Sequence, residues 1–286
     1  MNKGEQGSGI LYVVATPIGN LGDLSQRAID TLGQVALVLA EDTRHTRPLL
    51  SHLGLSKPLE SLHEHNEVVR ADAVVARLAD GLSIALVSDA GTPAVSDPGA
   101  KLVSAVARAG FRVVPIAGPS ALTAALSACG FSASSSDVRF FGFLAVKGKD
   151  RREGLEKICA GEGVHVFFEN PKRVHKTLTE LAQRQPERPA ALCRELTKVH
   201  EEVVRGTLRE LAAWSKGGVR GEVTMVVGPQ PQAVETDEQE LREAVERCLA
   251  AGLSNRDASS AVAAIYRVSR KPLYQLCLEL SGDRSS

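Results

Sequence analysis

The chain has 286 residues, 24% charged and 43% hydrophobic, and its 34 basic and 34 acidic side chains balance to zero net charge. This length predicts about two domains, each with a sizeable core, while the zero balance excludes a protein that grips nucleic acid over its whole surface and restricts any such contact to a local patch. Five scattered cysteines without a C-x-x-C pair argue against zinc or a disulfide framework; Met1–Gly9 has no signal core and no apolar run nears the ~20 residues of a membrane helix, so a metal-free, soluble, cytoplasmic protein is expected.

Leu11–Thr16 (LYVVAT) reads as a buried strand, followed by the loop PIGNLGD and a helix from about Ser25 to Gln34. Val35–Ala40 is a second strand ending in the polar cluster Glu41–Thr46 (EDTRHT), and Asn66–Asp80 has helical spacing. The strand Ser83–Val87 leads into Ser88–Ala100 (SDAGTPAVSDPGA), a loop placed where open α/β sheets build ligand sites. Its two glycines and two prolines fix its path, and Asp97 sits where the N-cap of the helix Lys101–Arg108 belongs. With the strand Phe111–Ile116 this alternation predicts a parallel sheet with helices on both faces.

After Gly118-Pro119-Ser120 comes a small-residue helix, Ala121–Cys129, and then strands at Arg139–Phe143, Val164–Phe168, Ala190–Arg194 and Glu222–Val227. Helices at about Asp150–Ala160 and Pro171–Arg184 complete a second α/β domain in which a mixed sheet is allowed. Pro229–Glu235 has linker composition, and Asp237–Ser286 reads as helical. The expected division is an N-terminal α/β domain over 10–118, a second over 119–231 and a small helical domain over 237–286. In that tail Ala258–Tyr266 and Lys271–Leu280 read like a helix-turn-helix pair, with a basic spot at Arg267, Arg270 and Lys271. Its seven Lys/Arg against eight Asp/Glu speak against non-specific duplex binding.

Several clusters bear on function. Gly19 and Gly22 after the first strand, with Glu41 and Asp42 about twenty residues on, imitate a dinucleotide fingerprint. The spacing is G-x-x-G rather than G-x-G-x-x-G, which leaves a hydride-transfer enzyme as a secondary reading. Arg44 and His45 can meet phosphate or ribose oxygens with Asp42 steadying Arg44, or the cluster is a plain helix start capped by Thr43. Lys147, Lys149, Arg151 and Arg152 suit a polyanion or are a solvated run. Asn170 and Pro171 read as N-cap and N1, next to a less easily dismissed Glu169. Arg194–Glu202 mixes both signs at a strand end, either as a surface network or as acid–base groups.

Together, VATPIGNLGDLS, AEDTRHT, SDAGTPAVSDPG, PIAGPSALTAAL, FFENPKR, CRELTK and GEVTMVVG resemble, in order, the tetrapyrrole-methylase superfamily of S-adenosylmethionine-dependent methyltransferases, in its bacterial ribosomal RNA small subunit methyltransferase I branch. The resemblance implies methyl transfer from S-adenosylmethionine to the ribose 2′-oxygen of a cytidine in small-subunit (16S) ribosomal RNA at the decoding centre, by a homodimer holding the cofactor between two α/β domains. A methylase of small tetrapyrroles and a non-catalytic ribosome-binding factor are the alternatives. Carried onto this chain, it implies cofactor contacts from Pro17, Asp89, Ala90, Gly91, Thr92, Pro93, Asp97, Gly118, Pro119, Ser120, Ala121, Phe168 and Thr224. Glu195, Lys198 and Glu169 become the catalytic candidates, and Arg44, His45, Lys147, Lys149 and Arg270 the RNA contacts. Moving a methyl group off a sulfonium needs alignment and a group to receive the hydroxyl proton, not a metal.

Overall fold

The computed structural model describes residues 9–131, 137–230, 238–266, 268 and 270–282. The expectations placed on Met1–Gly9 before Gly9, on Arg267 and Ser269, and on the linker beyond Gln230 lie outside the described residues. Residues up to Gln230 form one compact unit holding two sheets, and the remainder forms a second compact unit.

The first sheet is built from β1 (Ile10–Val14), β2 (Leu37–Ala40), β3 (Leu59–Ser61), β4 (Ile84–Val87) and β5 (Arg112–Ile116), in the order β3-β2-β4-β1-β5, all parallel. β2 and β4 are buried at every position, as expected of parallel strands covered on both faces. One face packs on α1 (Gln26–Gln34) and α2 (Thr43–His52), the other on α3 (Glu67–Ala79) and α4 (Ala100–Arg108). Because β4 lies between β1 and β2, the loop after β1 and the acidic end of β2 are not carried by neighbouring strands. That is the physical reason the first loop only imitates a dinucleotide fingerprint.

Two capping expectations change. The N-cap of α2 is Asp42, whose carboxylate accepts from the Arg44 N–H, and Thr43 is the first helical residue. The N-cap of α4 is Gly99 at φ 129°, not Asp97. The orphan amides of α4 are taken instead by a side chain from another helix: Oε1 of buried Glu67 accepts from the N–H groups of Gly99, Lys101 and Leu102 at 3.0, 2.6 and 3.0 Å. A carboxylate there also complements the helix dipole.

The second sheet has the order β6-β7-β10-β8-β9, from β6 (Val138–Phe143), β7 (Val164–Glu169), β8 (Pro189–Arg194), β9 (Glu202–Thr207) and β10 (Val223–Val227). Only β6 and β7 pair in parallel, so the sheet is mixed. α6 (Gly148–Ala160), α7 (Pro171–Ala182) and α8 (Leu208–Trp214) cover one face, and α5 (Ala121–Cys129) covers the other with Ile18 and Leu196. At the far end of this sheet the fully buried Arg188 donates to the carbonyls of Ile158, Gly163 and Gly228. Burial, aided by the Arg188 charge, holds the nearby His165 down to about 4 and so neutral.

The second unit comprises α9 (Glu238–Ala250), α10 (Asn255–Tyr266) and α11 (Arg270–Gly282), packed around Val245, Ala258, Val262, Leu273 and Cys277. No helix among the described residues is long and apolar enough to cross a membrane.

Removing the Glu67 carboxylate strands three amides at the start of α4. Glu67→Ala is expected to lower the unfolding free energy by about 2–3 kcal/mol in urea denaturation; a change below about 0.5 kcal/mol would show that water caps the helix equally well.

Candidate active site

All the loops that leave the C-terminal ends of β1, β2, β4 and β5 open on one side, and between them and the second sheet lies a cavity of about 390 Å³. Its first-sheet wall comprises Ile18, Glu41, Asp89–Thr92, Val95, Asp97, Ser120 and Ala121. The opposite wall takes Phe143 from the end of β6, Phe168–Pro171 from the junction of β7 and α7, Leu196, and Gly221–Thr224 entering β10.

The loop after β4 is held in a shape that side chains rarely tolerate. Ala94 and Ser96 lie at φ 67° and 66°, and Gly91 and Gly99 at 83° and 129°. Non-glycine residues there cost roughly 1–3 kcal/mol each and persist only where the surroundings fix them. Here Gly91 forms a two-way backbone bridge with Thr16 (2.9 and 3.1 Å), Thr16 Oγ1 donates to the Ser88 carbonyl, and Thr92 Oγ1 donates to that of Pro119. A side chain at 91 would also meet Ile18 Cγ2 at 3.3 Å. Across the cavity a second strained pair, Glu195 and Thr197 at φ 52° and 67°, begins the loop after β8.

The first-sheet wall is acidic. Burial, reinforced by Asp97 and Asp89, raises the Glu41 carboxyl above its ordinary value; burial likewise raises Asp97 against a hydrogen bond from Ser88. Asp89 joins two strand ends, accepting from the Asp42 N–H at 3.0 Å and lying 2.8 Å from His45 Nδ1, which lifts the imidazole above its usual value. Arg44 pairs with Asp42 at 2.6 Å, holding that carboxyl at about 2, and remains 87% exposed.

The structure brings together on the cavity Asp89, Ala90, Gly91, Thr92, Asp97, Ser120, Ala121, Phe168, Glu169 and Thr224. Gly118 and Pro119 line a second, more open depression beside it, with Ser120 shared. Pro17 and Pro93 line neither, and Glu195 and Lys198 stand just behind the wall. Glu195 Oε1 accepts from the Glu222 N–H at 2.9 Å and from Lys198 Nζ at 3.0 Å, while Lys198 also pairs with Glu222 at 3.0 Å. The two hydrogen-bonded carboxylates outweigh desolvation and raise the Lys198 ammonium above its ordinary value, so it is charged at neutral pH. Glu169 is sealed in: Oε1 accepts from Asn170 N–H and Arg173, and Oε2 from Thr177. Lys147 and Lys149 stand exposed at the start of α6, and Arg270 reaches Ser259 within the helical unit. Ile18, Phe143, Leu196 and Glu222 also line the cavity, and of these only Glu222, polar at a strand entrance, carries a local signal in the sequence.

The family model for Tetrapyrrole (Corrin/Porphyrin) Methylases matches residues 10–212. A Synechocystis protein named Ribosomal RNA small subunit methyltransferase I is 43% identical, covering 96% of this chain and 99% of that protein. Identically named proteins of Haemophilus influenzae and Escherichia coli O157:H7 are 42% and 41% identical, covering 95% and 97% of this chain and 97% and 98% of theirs. Among solved structures, uroporphyrin-III-C-methyltransferase from Thermus thermophilus aligns with TM-score 0.55 at 21% identity, over 77% of this chain and 94% of that one. Diphthine synthase gives TM-score 0.59 at 16% identity, over 77% and 90%. These two likenesses show the fold.

His45 owes its raised value to Asp89 first of all. In an NMR titration its imidazole should lose its proton above the ordinary 6.5, and Asp89→Asn should return it to that range. An unchanged midpoint in the variant would break the assigned link between the ends of β2 and β4.

Proposed function

The chain belongs to the tetrapyrrole methylase family and is a methyltransferase of small-subunit ribosomal RNA, and from that premise we propose that its donor is S-adenosylmethionine and its acceptor the ribose 2′-oxygen of a cytidine. The observation that carries the reading is the make-up of the cavity. One wall presents the carboxylates Glu41, Asp89 and Asp97 beside a glycine-lined backbone, and the other presents Phe168, Leu196 and Val223. A ligand with a flat apolar base, an ammonium and a sulfonium matches that set of groups, whereas NAD would bring a pyrophosphate against three carboxylates. When bound, S-adenosylmethionine supplies an electrophilic methyl group on a cationic sulfur.

The chain's own residues have to align a ribose oxygen with that methyl group and take up the hydroxyl proton. Glu169, with its oxygens already engaged, positions the start of α7. Lys198 stays protonated and charge-compensated, so it neither acts as a base nor repels the donor. Glu222 is the member of the Glu195–Lys198–Glu222 cluster that lines the cavity, and it is the group suited to accept the hydroxyl's hydrogen bond. Glu195 acts through Lys198 and the Glu222 backbone. Arg44, His45, Lys147, Lys149 and Arg270 are the proposed RNA contacts, and a cytoplasmic homodimer the proposed form. Incubation with labelled S-adenosylmethionine should label small ribosomal subunits and not tetrapyrroles, with the label resistant to alkaline cleavage at one cytidine. Labelling of tetrapyrroles instead would overturn the reading.

Glu41 and Asp97 have raised values and so become neutral above the ordinary carboxylate range as pH falls. Attraction for a cation is complete above those values and lost below them. S-adenosylmethionine affinity, measured by calorimetry, should fall across that window more steeply than that of S-adenosylhomocysteine, which lacks the sulfonium charge. Parallel curves would place the sulfonium elsewhere.

Glu222→Gln should lower the single-turnover rate by roughly 10²-fold, the lower end for losing a general base. Glu195→Gln should also lower the rate, and neither should alter S-adenosylhomocysteine affinity. A near-normal rate for Glu222→Gln would remove it from the acid–base role.

A further inference from the structure

Phe143 is the last residue of β6, lines the cavity and is nevertheless 62% exposed. A large aromatic ring left in water at the rim of a ligand cavity requires a cause, and the backbone supplies one. The pairing of β6 with β7 slips between Phe140 and Phe143, with Gly142 at φ 60° inside the slip. A Cβ on Gly142 would stand 2.7 Å from Ser96 Oγ, in the strained loop after β4, so the irregularity is seated against the opposite wall of the cavity. Bulges of this kind re-aim side chains, and this one turns Phe143 out to the rim. The ring is then fixed from behind. Phe168 meets it edge-on at 5.3 Å between centroids, and Phe140 meets Phe168 in the same way at 5.0 Å, forming a ladder from the interior to the rim. The outermost ring remains largely in solvent.

The charges around it differ from those deeper in the cavity. Lys147 lies four residues on, and Lys172 sits in the first turn of α7, beside the cavity-lining Asn170 and Pro171; both are exposed and form no ion pair among the described residues. The two basic segments are tied to the same strand exit, because Arg173 donates to the carbonyl of Leu144 and Arg151 to that of Ala145. A cationic donor is served by the carboxylate wall and opposed by this rim. A polyanion that offers a flat base and flanking phosphates is served by the rim.

Resting on the ribosomal RNA methyltransferase reading, we propose that Phe143 is the platform on which the base of the acceptor nucleotide stacks, with Lys147 and Lys172 meeting the adjoining phosphates. Stacking there holds the nucleotide unpaired, with its sugar turned into the cavity. Phe143 is therefore a positioning and binding residue for RNA, not a cofactor contact.

The test compares Phe143→Leu, which keeps an apolar side chain but removes the ring face, with Phe143→Trp, which enlarges it. Methylation of unmodified small ribosomal subunits is followed as kcat and KM, alongside S-adenosylhomocysteine affinity by calorimetry. Phe143→Leu should lower kcat/KM about 10- to 100-fold, the range for one stacked base, with S-adenosylhomocysteine affinity unchanged, and Phe143→Trp should stay within about threefold of the parent. Equal kcat/KM for Phe143→Leu and the parent overturns the proposal, as does a loss of S-adenosylhomocysteine affinity, which would give the ring to the cofactor. The parent enzyme in the same assay decides the underlying reading separately, since failure to methylate any subunit is a failure of that reading alone.

Discussion

The two-way hydrogen bond between Thr16 and Gly91 is the constraint on which the site depends. Parallel strands diverge into loops at their C-terminal ends, where the backbone has no further ladder partner. Here the first and fourth strands are closed by one antiparallel bridge just past their ends. The bridge stops the loop after β4 from collapsing onto the sheet and presents Asp89, Ala90 and Thr92 to the cavity. The unfavourable φ values of Ala94 and Ser96 are then held between that bridge and the Glu67 cap at the start of α4. A loop fixed at both ends carries strained residues without fraying.

The charges divide the site into two. Glu41, Asp89 and Asp97 line the first-sheet wall and Glu169 and Glu222 the second, while Lys147 and Lys172, unpaired among the described residues, stand exposed outside the cavity on the second-sheet side. On the second-sheet side, the hydrogen-bonded network of Glu169, Arg151, Arg173, Thr177 and Glu180 fixes α7 against α6. With its partners complete, this network serves as scaffold. Zero net charge over the whole chain therefore conceals a cavity lined by carboxylates with exposed lysines outside it, an arrangement suited to a cationic donor and an anionic acceptor together.

Much of this was legible because it rests on local chemistry. The β-branched runs of β1, β4 and β10 and the Asn170-Pro171 helix start carry their structure in a few adjacent residues. The parts that were not legible rest on distant contacts. The Glu41–Thr46 cluster offers a helix start, but Pro48 masks the length of α2, and the mixed charges leading into β9 mask that strand. At the start of α4 the N-cap is Gly99 and the amides are taken by Glu67, 34 residues before Lys101, a partner no local pattern reveals. The same holds at the site: Phe143 becomes visible only when a bulge brings it to the cavity, whereas the glycine-rich loop announces itself. Glu195 lies behind the wall because Gly221, where a Cβ would sit 2.4 Å from the Glu195 carboxyl carbon, lets that side chain fold under the β10 entrance.

Arg188 has a consequence for how the second sheet assembles. Its guanidinium is fully buried with no carboxylate partner among the described residues, and its hydrogens go to Gln185 Oε1 and to main-chain carbonyls of segments as far apart as Ile158 and Gly228. A cation can leave water only when those oxygens are already in place. The end of α6, the start of β7 and the end of β10 must therefore close around it in a single step, since any subset would enclose an unsatisfied charge. Arg188 thus acts as a cooperativity lock: it penalises half-built versions of the sheet and makes the platform behind the cavity either present whole or absent.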